Sequence, residues 1–259
     1  MNQLHTIVPT IVKEWKAQAI NTSHIYKLLG DVSRAVALAW IVYQSGQLGT
    51  LAYVSVGVAL IAIWTGVLSL GGWSLTSELY GKTLDFTLIS RTSMSVVLFS
   101  KTIAQTIYEM PTGIVSFVTV LLVARALPEI ANIPSLILSL LVALVGLIVI
   151  GFFFSALVVL VGGKAGFFMG IMPFGAVLSG FILPVNQLPL AMEVLARLMP
   201  SSWAMDSVWL SIGGIDSWWL VMQGWGMCLL MTAVWFIITY YICKGVERRI
   251  RVLGTLGAF

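Results

Sequence analysis

The chain has 259 residues, of which 59% are hydrophobic and 9% charged, and its formal net charge is +4. A soluble globular domain carries roughly 25% charged residues, so that class is excluded and a polytopic membrane protein is indicated. The apolar runs are continuous rather than alternating, which excludes barrel strands and leaves helices as the way to satisfy backbone polar groups in lipid. The length holds about six spans of around 20 residues with short loops, so residues 1–259 read as one all-α transmembrane domain.

In chain order, residues 5–20 come first. Val8, Ile11, Val12, Trp15 and Ala19 draw one apolar stripe, and Lys13, Glu14, Lys16 and Gln18 cover the other face. This predicts an interfacial helix lying on the membrane. No apolar core with a small-residue cleavage site precedes it, so a cleaved signal peptide is not expected. Spans are predicted at 27–46, 51–72, 97–124, 135–161, 167–184 and 217–242. Asp31 and Arg34 stand three apart near the start of the first and can pair. Between the second and third spans lies Trp73–Ser95, with Glu78, Lys82, Asp85 and Arg91. Its 78–91 portion predicts a short amphipathic helix, with Leu79, Leu84, Leu88 and Ile89 roughly on one side.

Orientation follows from lysine and arginine. With the N-terminus inside, twelve of the fourteen basic residues fall on the inner side and only Arg125 and Arg197 outside. Both termini are therefore expected in the cytoplasm. The basic balance suits an anionic inner leaflet of membrane lipid and needs no nucleic acid. Gly162, Gly166 and Gly170 recur every four residues, a small-residue row that lets helices approach closely, either within the chain or against a second copy. Pro173 should kink the same helix.

Catalytic constellations are missing from the sequence. The two histidines, His5 and His24, both precede the first span, so no serine hydrolase or zinc-protease set can be assembled in the spans. Cys228 and Cys243 share the last apolar run and make no disulfide or metal framework. There is no GxxxxGK[ST] phosphate loop, so the chain is not itself an ATPase and binds no cofactor or metal. Glu109 is the one acidic residue deep in a span, which makes it either a candidate for the substrate path or a gate, or a carboxyl near the inner boundary that is neutralised or paired inside the bundle, with Pro111 marking a bend. The segment 181–210 carries Pro184, Pro189 and Pro200, and Leu190–Met199 predicts a short amphipathic helix with a Glu193–Arg197 i,i+4 pair. It reads as a cap of partly re-entrant helices over 185–216, with Trp203, Trp209, Trp218 and Trp219 in the outer interfacial belt.

These features together resemble the type-2 ATP-binding-cassette transporter permeases. Four carry the resemblance: the helix at 5–20; Glu78-Leu-Tyr-Gly81-Lys82-Thr83-Leu84-Asp85-Phe86, similar to the family's E-x-x-x-G-T-L-E stretch with Lys82 inserted; six spans with both ends inside; and Ser179-Gly-Phe181-Ile-Leu183-Pro184, Leu188-Pro189, Leu198-Met-Pro200 and Ala204-Met-Asp206. The resemblance covers essentially the whole chain. It implies a non-catalytic subunit of an exporter in a bacterial or archaeal plasma membrane. A second permease chain, identical or a paralogue, and two ATPase subunits that bind ATP and Mg2+ would complete it. Glu78, Gly81, Lys82, Thr83, Leu84, Asp85 and Phe86 would form the coupling helix against the ATPase. Phe181, Leu183, Pro184 and Asn186, with Glu109, would line the path or gate.

The path-lining spans are rich in Trp, Phe and Met, which leans toward hydrophobic or amphipathic cargo: a drug, antibiotic, peptide or lipid. A lipid-linked polysaccharide is the other cargo class. A secondary carrier or channel would instead predict inverted repeats and several midplane charges. A structural membrane subunit would need no coupling stretch.

Overall fold

The computed structural model describes residues 9, 11–12, 23–80, 93–161, 166–215 and 217–253. Among them the chain is all helical, with eight helices and no strand. They are α1 (Ser23–Ser45), α2 (Leu51–Tyr80), α3 (Met94–Ala124), α4 (Ile133–Leu160), α5 (Gly166–Leu178), α6 (Leu190–Ala196), α7 (Pro200–Gly213) and α8 (Trp218–Leu253). Most of the 5–20 helix and all of the 78–91 helix beyond Tyr80 lie outside the described residues.

Among the described residues, four helices are long and apolar enough to cross a membrane: α2, α3, α4 and α8. Helix α1 has the length, but Lys27, Asp31 and Arg34 make its first half polar. Helix α5 has 13 residues, roughly 20 Å, where 167–184 was expected to form a full span. It stops because the chain turns at Gly180, whose φ of +77° suits glycine and few other residues.

Helix α2 is the axis of the bundle. In its crossing segment 78% of the residues are buried inside the chain, against 22% for α8. Apolar on every side, α2 has nowhere to turn a polar face. It packs against α3, and α1 lies on the same pair. Helices α7 and α8 lean on α4 from the other side. Trp64 of α2 sits at the centre, fully buried, with its ring edge-on to Phe181 at 6.1 Å and to Phe154 at 6.3 Å. Its indole N–H donates to the Met172 carbonyl of α5 at 3.0 Å.

Lipid offers no hydrophobic drive between helices, so small polar residues hold the second half together. Ser135 of α4 meets Ser211 of α7 at 2.8 Å, and Ser201 donates to Ser179 at 2.9 Å. Trp225 of α8 donates to Ser139 of α4 at 2.8 Å, and Ser207 of α7 donates to the Val221 carbonyl of α8 at 2.9 Å. The loop before α4 is tied to the end of α7 through Asn132 N–H to the Ser211 carbonyl, and the Asn132 side chain caps α4 by accepting from Ser135 N–H.

Candidate functional site

The most concentrated polar chemistry lies where α1, α2 and α3 meet. Lys27 is one turn into α1. Its ammonium donates to Asp31 Oδ2 at 2.5 Å, to Glu109 Oε2 at 2.8 Å and to the Ala62 carbonyl of α2 at 3.0 Å. Three donors meet three acceptors, so the cation is saturated. Glu109, at the midpoint of α3, is 1% exposed and also accepts from Gln105 Nε2 at 3.0 Å. Arg34 donates to the other oxygen of Asp31 at 3.1 Å. His24 Nδ1 stands 4.0 Å from Glu109, and its ring packs on Tyr108 at 4.4 Å between centroids. The i,i+3 pair expected for Asp31 and Arg34 thus forms as the exposed end of a longer chain of charges.

Two cations face two carboxylates, so the cluster is neutral as a whole. That balance is what makes its burial tolerable, since an unpaired charge in this setting would be expensive. Lys27, counted with the cytoplasmic flank, has only 13% of its side chain exposed and lies within the bundle.

The backbone makes room for the carboxylate at Gly66. A Cβ there would stand 2.1 Å from Glu109 Cδ. Gly66→Ala is therefore expected to push Glu109 off Lys27, with a loss of thermal stability of about 1–3 kcal/mol in detergent. An unchanged melting temperature would mean that the carboxylate has a second place to sit.

The other expected site residues scatter. Glu78 falls in the last turn of α2, and Gly81, Lys82, Thr83, Leu84, Asp85 and Phe86 lie outside the described residues, as does Gly162. Gly166 begins α5. A Cβ at Gly170 would meet nothing within 4 Å among the described residues, whereas one at Gly175 on the same helix would run into the Trp64 ring. Phe181 is buried in the core beside Trp64, and Leu183 is exposed. Pro184 and Asn186 come together on a cavity of about 290 Å³, walled also by Arg197, Trp203 and Asp206. Arg197 pairs there with Asp206 of α7, not with Glu193, although its backbone N–H still donates to the Glu193 carbonyl at 2.9 Å. Burial pushes the Asp206 carboxyl above its ordinary range, and the Arg197 guanidinium partly offsets this. Trp209 is no belt residue: it is buried and stacks on Tyr53 at 5.2 Å, while Trp218 and Trp219 are exposed.

Neither place holds a nucleophile with a base, and no group of three or more His, Cys, Asp or Glu residues among the described ones could hold a metal. In the arrangement an ion cluster fastens one helix to a helical pair, and a polar cavity lies between the chain after α5, α7 and α8. A comparison with family models then decides the class, since the model described as ABC-2 family transporter protein matches residues 8–241. The chain belongs to the ABC-2 transporter family. Within it, this chain is a membrane permease of the ATP-binding-cassette exporter kind. A search of curated proteins found no match. Sequence reasoning had singled out Glu109 but missed Lys27 as its partner. The signal within reach was Lys27–Asp31–Arg34, spaced i, i+4 and i+7 on one helix face that otherwise turns apolar.

Proposed function

We propose that the chain forms, with a second permease chain, the path of an ATP-driven exporter of hydrophobic or amphipathic cargo. Two separate ATPase subunits binding ATP and Mg2+ drive it, and the 78–91 stretch docks on them. Helices α1 and α5 complete a set of six spans with both termini in the cytoplasm of a bacterial or archaeal cell, and 185–216 closes the outer end. The observation that carries this reading is the cluster around Lys27. Helices α2 and α3 are the two arms joined by residues 81–92, and Lys27 binds α1 to both arms at once. A push on the connecting stretch then moves three helices as one body, a rigid lever of the kind that domain closure needs. Mobile surface pairs would slip; a buried, saturated cluster does not.

The test begins by finding an ATPase with a phosphate-loop motif encoded beside this reading frame; its absence there and failure of any cognate ATPase to bind would count against the reading. Co-purification of the two chains is expected, with ATP hydrolysis stimulated by an amphipathic drug in proteoliposomes. Gly81→Pro, which would break a helix over the proposed 78–91 docking stretch, and Asp85→Lys, which reverses a charge in it, are each expected to lose the complex or to abolish stimulated hydrolysis. Normal assembly and normal stimulation with both substitutions would reject the coupling role.

A further inference from the structure

The cavity between the chain after α5, helix α7 and the start of α8 holds one cation and one anion. Asn186, Arg197, Trp203, Asp206, Trp209 and Gln223 are among its walls. Arg197 and Asp206 pair across it, yet their side chains remain 26% and 31% exposed. Each can therefore turn to a ligand without first leaving the protein interior. Trp203 keeps the guanidinium in place when that happens, because its ring lies 4.6 Å from the Arg197 carbon and its N–H donates to the Arg197 carbonyl at 2.9 Å. The indole nitrogen of Trp209 is buried with no hydrogen-bond partner among the described residues.

We infer that this cavity binds a zwitterionic headgroup, an ammonium joined to a phosphate by a short linker, as in a phosphatidylethanolamine lipid. The phosphate takes Arg197 and the ammonium takes Asp206. Charge selects the class. A purely anionic ligand that captured Arg197 would strand the half-buried Asp206 carboxylate, and a purely cationic one would strand the guanidinium. A zwitterion replaces both halves of the pair and strands neither. Size agrees: about 290 Å³ is at the small end of ligand pockets, enough for a headgroup but not for its acyl chains. The chains have a place to lie, since Leu220 lines the cavity and is exposed, and the neighbouring Trp218 and Trp219 are 54% and 73% exposed. Exposed tryptophans of this kind suit the headgroup level of a bilayer.

The test uses the purified chain in detergent and counts retained lipids by native mass spectrometry. Phosphatidylethanolamine is expected to be retained about tenfold better than phosphatidylglycerol of the same chains, equivalent to about 1.4 kcal/mol. Two variants should erase that preference. The double change Arg197→Gln with Asp206→Asn removes both charges together and leaves no lone charge behind. Gln223→Trp fills the cavity from α8 and leaves the ion pair untouched, so it guards against a folding failure of the first. Equal retention of the two lipids, or a preference that survives Gln223→Trp in a folded protein, overturns the inference. Soluble phosphoethanolamine separates the sources. A melting shift at millimolar concentration assigns the site to a free zwitterion, a shift with the lipid alone assigns it to the bilayer, and no shift with either overturns it. Retention needs no ATPase and no transport, so this result stands or falls apart from the exporter reading.

Discussion

Lys27→Met is expected to destabilise the folded chain by about 3–5 kcal/mol, the usual cost of removing one partner from a buried ion pair. The methionine would fill the volume of the lysine stem. It would leave Asp31 and Glu109 facing the same space with no cation between them, and the Ala62 carbonyl would lose its extra donor. Arg34 cannot stand in, because it is 41% exposed and reaches only the far oxygen of Asp31. Glu109→Gln should cost less. The amide still accepts from a donor, and Lys27 keeps Asp31, so about 1.5–3 kcal/mol is expected for the lost charged hydrogen bond. The decisive measurement is the double variant. Once Lys27 is gone, neutralising Glu109 removes a stranded carboxylate, so Lys27→Met with Glu109→Gln should be more stable than Lys27→Met alone. Thermal unfolding of the four proteins in one detergent reads this directly. Strict additivity of the two single changes would show that the residues are not coupled and would remove the physical basis for a three-helix lever.

That cluster also marks the limit of what the sequence discloses. Apolar length is a local property, and it placed the starts of α2 and the ends of α3 and α4 within a few residues of where they lie. The charges are local too, but their depth is not. Lys27 and Glu109 stand 82 positions apart, and nothing in either neighbourhood says that they meet. Counting basic residues for topology treats every lysine near a span end as a flank residue, and Lys27 satisfies that count while sitting inside the bundle. The cap misled in a related way. The i,i+4 rule paired Glu193 with Arg197; the backbone keeps that register, but the guanidinium turns to Asp206, a carboxylate that α7 brings close and local spacing cannot reveal. Tryptophan content suggested a belt of four. Trp209 is instead drawn inward by Tyr53, a contact between helices that composition cannot register.

Gly57→Ala is expected to be the most damaging methyl group that can be added to the central helix. A Cβ at residue 57 would stand 2.1 Å from the Phe181 carbonyl oxygen and 3.3 Å from its carbon. The obstacle is backbone, so no rotamer change relieves it. Nor can the peptide swing away freely. Phe181 N–H is bonded to the Ala176 carbonyl at 3.3 Å, and the Phe181 ring is fully buried against Trp64. Trp64 in turn is held by the Met172 carbonyl. Relief must therefore come from moving the whole chain after α5 off the axis, and overpacking of this kind costs about 1–3 kcal/mol or more. The same displacement would shift Leu183, Pro184 and Asn186, which follow within five residues. A cysteine placed at the exposed Leu183 should then change its labelling rate in Gly57→Ala. Gly170→Ala is the matched control. Its Cβ meets nothing within 4 Å and the position is helical, so the change should be neutral or stabilising by up to about 1 kcal/mol from helix propensity alone. If both alanines behave alike, the close approach of α2 to the chain at Phe181 does not hold the outer end of the bundle in place. If they separate as expected, the two glycines have different jobs: Gly57 admits a backbone, and Gly170 leaves a surface open.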